Sequence, residues 1–262
     1  MEIIVCIKRV PDLSEIDVAI DASGRAIKED DLVFGLNEWD RFAVEEALRL
    51  KEAHGGRVTV ITVGGEESED VLRRSLAMGA DEAIRLSDPA FADADAFVVA
   101  RILHAAIAQR PFDLILTGSV SSDSGAGVVG GMLAAMLDIP QVALATYIEV
   151  ADGAVGVQHE VEGGLERAVN VDLPALVTVQ TGINEPRYVS IRGIRKVAGA
   201  EIPVLDSESL GLTSDEVGDT ARWIRVEALN RPPEGRSAEI LEGRTEDVVD
   251  QLVERLKERG GV

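Results

Sequence analysis

The residues with the clearest chemical purpose lie in one glycine- and serine-rich loop, TGSVSSDSGAGVVGG, at positions 117–131. A short apolar run, FDLIL, leads into it, and a helix-like run, VVGGMLAAML, leads out. In open α/β sheets, ligands sit at the carboxyl ends of strands, where helix amino termini present free amides. Those amides and the helix dipole favour an anion, above all a phosphate. Gly125, Gly127 and Gly130 let the backbone approach a ligand closely. Ser121, Ser122 and Ser124 can donate hydroxyl hydrogen bonds, and Asp123 sits among them. The competing reading is a Gly/Ser-rich loop with no ligand. The three glycines spell Gly-x-Gly-x-x-Gly, with Glu149 roughly 20 residues on. This is not a dinucleotide fingerprint: the first glycine falls eight residues after Thr117, too late for the tight turn that motif needs. A Gly-Lys-Ser/Thr sequence is absent, which excludes a P-loop. No nucleophile–base pair or carboxylate dyad emerges, so no catalytic residue is assigned.

A second concentration of chemistry is cationic. Arg192, Arg195 and Lys196 fall close together after the corner Asn184-Glu-Pro-Arg-Tyr188. They stand out because the chain has 47 acids, 26 bases and a formal net charge of −21. Such a chain repels polyanions, which argues against nucleic-acid binding. The bases are 21 Arg and only 5 Lys. This fits an ordinary acidic cytosolic protein, or, more sharply, one adapted to molar salt. There the screening length falls to about 3 Å and surface self-repulsion fades. The single cysteine, Cys6, allows no internal disulfide and reads as a buried strand residue. His54, His104 and His159 lie far apart without ligand spacing, so no metal is assigned. No apolar run reaches the ~18 residues of a membrane span. MEIIVCIKRV lacks a cationic signal-peptide start. The expectation is a cytoplasmic protein without membrane insertion.

These sites need elements to hold them. MEIIVCIK opens as a buried strand, and a polar excursion follows to about Leu36. WDRFAVEEALRLKEAHGG reads as a helix, with Asn37 or Asp40 as N-cap and Gly55–Gly56 as its end. RVTVITVGG, ESEDVLRRSLAMGA, EAIRL, DADAFVVARILHAAIAQR and FDLILTGS then alternate strand and helix, the fourth being a helix of about five turns. That rhythm predicts βαβ units, a parallel sheet and helices on both faces. After Pro140 the helices stop. QVALATYIEV, a turn at Asp152–Gly153, AVGVQHEVEGG, ERAVNVD and ALVTVQTG predict added antiparallel strands. From about Ala198 the chain loses periodicity until TEDVVDQLVERLKERGG, an amphipathic terminal helix. The stretch between reads as an extended arm that a partner covers.

Residues 161–197, VEGGLERAVNVDLPALVTVQTGINEPRYVSIRGIRKV, closely resemble the signature region of the electron-transfer flavoprotein β subunit. The shared order is a Gly-Gly-Leu-Glu turn, Leu-Pro-Ala, Asn-x-Pro-Arg-Tyr and a basic tail. IVCIKRVPD, NEWDRFAVEEALRLKE and RPPEGRSAEILEGRTEDVVDQLVERLKE are similar to the family's opening, first helix and carboxyl-terminal arm, so the likeness spans essentially the whole chain.

The resemblance implies a Rossmann-like α/β fold of the adenine-nucleotide α-hydrolase type. Residues 1–198 would form a nucleotide-binding domain that includes a recognition loop at 186–197. Residues 199–262 would be an arm and helix packing on an α subunit. It also implies a heterodimer in which the α subunit holds most of the redox FAD, and a loop at 121–130 that binds AMP or, in bifurcating relatives, a second FAD. Cys6, Asn37 and Val63 would complete that pocket. Asp123, Gly127 and Gly130 match the family's loop, while Gly125, Ala126 and Val128 replace residues that are often Asp, Thr and Gln. Val217–Gly218 continues as Asp-Thr-Ala instead of Gly-Ser-Pro-Thr, which leans towards AMP or an altered site. Ile191 would be the apolar anchor that docks dehydrogenases, ringed by Arg192, Arg195 and Lys196, and Glu166 would lie at the subunit boundary near the flavin. The implied role is electron carriage from acyl-CoA-type dehydrogenases towards a quinone oxidoreductase. The alternative is a stand-alone nucleotide-binding regulator of the universal-stress-protein type. It explains residues 1–150 but not the Pro-Arg-Tyr corner or the arm.

Overall fold

The computed structural model describes residues 1–13, 18–30, 32–151, 153–233, 235 and 238–260. In chain order the elements are β1 (Glu2–Cys6), β2 (Arg9–Asp12), β3 (Val33–Leu36), α1 (Glu38–His54), β4 (Arg57–Val63), α2 (Glu69–Met78), β5 (Glu82–Leu86), α3 (Ala96–Ile107), β6 (Leu114–Gly118), α4 (Val129–Leu137), β7 (Gln141–Ala151), β8 (Ala154–Val161), β9 (Leu165–Asp172), β10 (Ala175–Val179), α5 (Ile191–Val197), β11 (Val204–Leu205), α6 (Ser214–Val217) and α7 (Thr245–Glu258).

The main sheet runs β11-β5-β4-β1-β6-β10-β7-β8-β9. Every pairing from β11 to β7 is parallel, and β8 and β9 add antiparallel strands at one edge. Alternation along each strand feeds two cores. Ile3 and Val5 pack with Ala43, Val44 and Leu48 of α1 and Leu72 of α2. Ile4 and Cys6 pack on the other face with Ile102 and Ile107 of α3 and Leu133 of α4. Covered on both faces, the parallel strands can be apolar at nearly every position. Local signals set the helix ends. Asp95 accepts from the Val98 amide at 2.9 Å and starts α3. Gly79, at φ 131°, closes α2 in a conformation that L side chains rarely adopt.

The chain steps from β1 to β4 and β5 on one side, then crosses to β6 on the other. Strand order therefore reverses at β1, and the crevice at the carboxyl ends of β1 and β6 is the topological switch point.

Several elements differ from the sequence reading. The sequence groups ALVTV with the antiparallel strands, but β10 inserts between β6 and β7, parallel to both. All five of its residues are buried, as two-sided covering requires. Helix α3 has 12 residues, little more than three turns, because it begins only at the Asp95 cap and stops at Ile107. The polar excursion holds a two-stranded antiparallel ladder, β2 with β3. Its strands have four residues each and contain Pro11 and Gly35, so they give almost no strand signal. Asp152 of the Asp-Gly turn lies outside the described residues.

Residues 199–221 are not free arm. β11 pairs with β5, and Leu210 and Val217 are buried in the α3 face. Beyond them Trp223 stacks on Phe97 with ring centroids 4.3 Å apart. Helix α7 buries none of its residues and exposes Val249, Leu252, Val253 and Leu256. No helix among the described residues is long and apolar enough to cross a membrane.

Candidate functional site

β1 and β6 run in register so that Cys6 lies beside Thr117. The loops leaving them are tied by one carboxylate. Asp40, in the first turn of α1 and buried, accepts the Lys8 amide at 2.7 Å through Oδ2 and the Gly118 amide at 3.1 Å through Oδ1. Position 118 must be glycine for this approach. A Cβ there would lie 2.7 Å from Trp39 Cβ and 3.0 Å from the Asp40 nitrogen, and would overlap Asp40 Oδ1. Burial pushes the Asp40 carboxyl up to about 7, although Asn37, the two amides and the Lys8 charge pull the other way. Burial, helped by Asp40, also pushes the Cys6 thiol up to about 12. Cys6 thus stays a protonated thiol and is not a nucleophile.

Asn37 precedes α1 but does not cap it with its side chain. Buried, it reaches across to the glycine-rich loop instead. Its Nδ2 donates to the Val120 carbonyl at 2.9 Å, and its Oδ1 accepts the Ser122 amide at 3.2 Å. Lys8 Nζ meets Asp123 Oδ2 at 2.6 Å. Burial raises the Asp123 carboxyl, but Lys8, Ser121 and the Ser124 amide together outweigh it and hold the group below its usual value. The Ser121 and Ser124 hydroxyls share a 2.9 Å hydrogen bond. Gly125 and Gly127 both sit at φ 62°, in the left-handed region. Gly130 lets α4 press on the sheet: a Cβ would come within 2.8 Å of Thr178 Cγ2.

Among the described residues, the amides of positions 126–131 donate to no protein acceptor. They cluster at the amino end of α4, beside the switch point, and the nearest acid, Asp123, is already answered by Lys8. This donor set fits a phosphate. Two surface clefts lie elsewhere, one lined by Asp138, Pro140, Asn170 and Leu173, the other by Glu2, Arg57, Glu82 and Arg110. Both are at the amino ends of the parallel strands. Shape alone would point to them, but the free helix amides and the loop glycines are at the opposite end.

The structure brings Cys6, Asn37, Val63 and residues 121–130 to the carboxyl edge of the sheet. It places the basic segment elsewhere, on α5, which packs against α2. Ile191 is 69 % exposed and not a core residue. Arg192, Arg195 and Lys196 are exposed beside it. Glu166 is on β9, accepting the Thr146 hydroxyl at 2.8 Å. Sequence reasoning missed two members of the site. Asp40 appeared only as a possible cap. Lys8, two residues beyond Cys6, had no visible partner.

Fold and site together define a doubly wound α/β chain with a loop of unpartnered amides at its switch point. Kinship makes this specific. An electron transfer flavoprotein domain profile matches residues 25–210. The electron transfer flavoprotein subunit beta of Thermoanaerobacterium thermosaccharolyticum is 37% identical over 260 residues, covering 99% of both chains. That of Methylophilus methylotrophus is 34% identical over 265 residues, covering both chains fully. The caffeyl-CoA reductase-Etf complex subunit CarD of Acetobacterium woodii is 35% identical over 262 residues and 99% of each chain. The chain belongs to the electron-transfer flavoprotein family, as a β-type subunit. It is a component of a flavin-dependent electron carrier, which implies an α partner and redox partners. The stand-alone regulator is not favoured.

Proposed function

We propose that this chain is the smaller half of a heterodimer, working in the cytoplasm. The complex relays electrons from acyl-CoA-type dehydrogenases, through an FAD held mostly by the α subunit, towards a quinone oxidoreductase. The loop at 121–130 holds AMP. The observation that carries the nucleotide reading is the set of unpartnered amides at 126–131, in a loop whose first residues, 118–122, are pinned by Asn37 and Asp40. Their role is electrostatic: fixed dipoles receive a phosphate without needing to reorganise. Cys6 and Val63 wall the pocket, and the serine hydroxyls supply adaptable donors.

The flavin, when bound, supplies the ring that takes up and passes on electrons; this chain supplies the platform. Glu166 is proposed to lie at the subunit boundary near that ring. The exposed apolar side chains of the arm, Trp223, Ile224 and Ile240, together with those of α7, are proposed to pack on the α subunit. In this reading residues 1–198 form the nucleotide-binding body, residues 199–221 pack back onto it, and the chain beyond them is the partner-facing part. Ile191 and its cations are the docking point for the donor dehydrogenase: one desolvated aliphatic anchor with a charged rim suits a transient contact.

The test is to denature the purified complex and count its adenine and flavin. One AMP and one FAD per heterodimer is the expected result. Two FAD would assign the loop to a second flavin, and no adenine beyond that of a single FAD would remove the nucleotide site.

A further inference from the structure

Helix α5 presents Ile191 yet buries none of its seven residues. A helix that short has little stability of its own. Ser190 caps its start, accepting the Gly193 amide at 3.1 Å, but a cap does not fix where a helix sits. Two arginine clasps do.

On the amino side, Arg187 is locked to the buried Glu45 of α1. Glu45 accepts the Arg187 amide at 3.0 Å, its Nε at 2.8 Å and its Nη2 at 3.1 Å. Arg187 Nη1 also reaches Glu52 at 2.8 Å. Three residues earlier, Asn184 donates to Glu46 at 2.9 Å and to the Phe42 carbonyl at 3.0 Å. On the carboxyl side, Arg73 of α2 gathers three carbonyls at and just beyond the helix end, where carbonyls run out of intrahelical partners. Its Nη1 donates to the carbonyls of Val197 at 3.2 Å, Ala198 at 2.9 Å and Ala200 at 3.1 Å. Glu69 holds the other end of the guanidinium, at 2.9 Å from Nη2.

We propose that Arg73, and Glu45 acting through Arg187, are positioning residues that fix α5 so that Ile191 is presented to the electron donor in one orientation. The proposal rests on the docking reading of Ile191 given above. Ordering the segment before encounter removes that cost from docking. Neither clasp touches the nucleotide loop, so their loss acts on partner binding and not on cofactor content. A purely structural role would lower stability without separating KM from kcat.

The experiment uses the purified heterodimer carrying Arg73→Ala, Arg73→Lys, Glu45→Gln or Ile191→Ala. An acyl-CoA dehydrogenase is the donor, and hydrogen exchange is followed at residues 191–200. Arg73→Ala and Glu45→Gln are expected to raise KM for the heterodimer about tenfold, leave kcat and flavin content unchanged and speed exchange across α5. Arg73→Lys keeps the charge but loses the fork, so it is expected to behave like Arg73→Ala. Full recovery with lysine would show that the charge merely steers the partner, and would overturn the proposal. So would an unchanged KM for Arg73→Ala, a partly exposed residue, when Ile191→Ala raises it. If Ile191→Ala itself leaves KM unchanged, the docking reading fails first and the positioning role falls with it.

Discussion

Asp40 offers the sharpest test of how the switch point is built. Its carboxylate is buried, yet it is the acceptor that ties Lys8 and Gly118 together. Burial pushes it from 3.8 to about 7. Between those values the folded chain keeps a proton that the unfolded chain has lost. The folded state then binds more protons, so stability must fall as pH rises through this window. Each tenfold change in proton affinity between the folded and unfolded chain is worth about 1.4 kcal/mol. Raising the pH from 5 to 7 should therefore cost the native protein on the order of 2–3 kcal/mol from this group alone.

Asp40→Asn removes the titration. It also gives up one of the two amide acceptors, a loss of about 1 kcal/mol that does not vary with pH. The assay is the thermal midpoint of the purified complex, native against Asp40→Asn, from pH 5 to pH 8. The variant is expected to be the less stable form at pH 5 and to gain on the native protein as pH rises, by roughly 5 °C or more. The comparison cancels the general repulsion of an acidic chain, which both proteins share. A gap between the two that stays constant across this range would refute the reasoning, because it would mean that Asp40 is ionised in the fold throughout.

Gly130→Ala places a methyl group 2.8 Å from Thr178 Cγ2 and 3.0 Å from Thr117 Oγ1. Overpacking of about 1–3 kcal/mol should outweigh the helix-propensity gain of about 1 kcal/mol. Calorimetry should show a lower midpoint, and adenine analysis should show less retained nucleotide. Asn37→Ala unfastens Val120 and Ser122 together; equilibrium dialysis with AMP should show affinity weaker by about tenfold, and unchanged affinity would remove Asn37 from the site. With a net charge of −21, the complex is also expected to gain thermal stability between dilute buffer and multimolar KCl. Equal midpoints would reject adaptation to salt.

The parallel sheet was legible because its strands are short apolar runs punctuated by helices with plain ends. Arg57–Val63 followed by two glycines, and Glu69–Met78 closing on Gly79, need no tertiary information. The placement of β10 was not legible. Its five residues declare burial but not neighbours, and strand order is decided by which hydrophobic faces close the sheet. The glycine loop was legible, from composition and position, as the link between a strand's carboxyl end and the start of a helix. What holds it was not. Asp40 looks like an ordinary first-turn acid, and its burial becomes apparent only when Gly118, 78 residues on, packs against it. The Arg73 clasp joins α2 to carbonyls 124 to 127 residues away. No local pattern marks an arginine that bonds backbone at such separation.

The proposed heterodimer is tested most directly by expressing this chain together with a candidate α subunit and taking the visible spectrum of what co-purifies. A yellow complex of the two chains in equal amounts, with flavin absorbance that follows both of them through gel filtration, is the predicted result. A colourless, stable assembly of this chain alone, which leaves the larger subunit and its flavin behind, would contradict it.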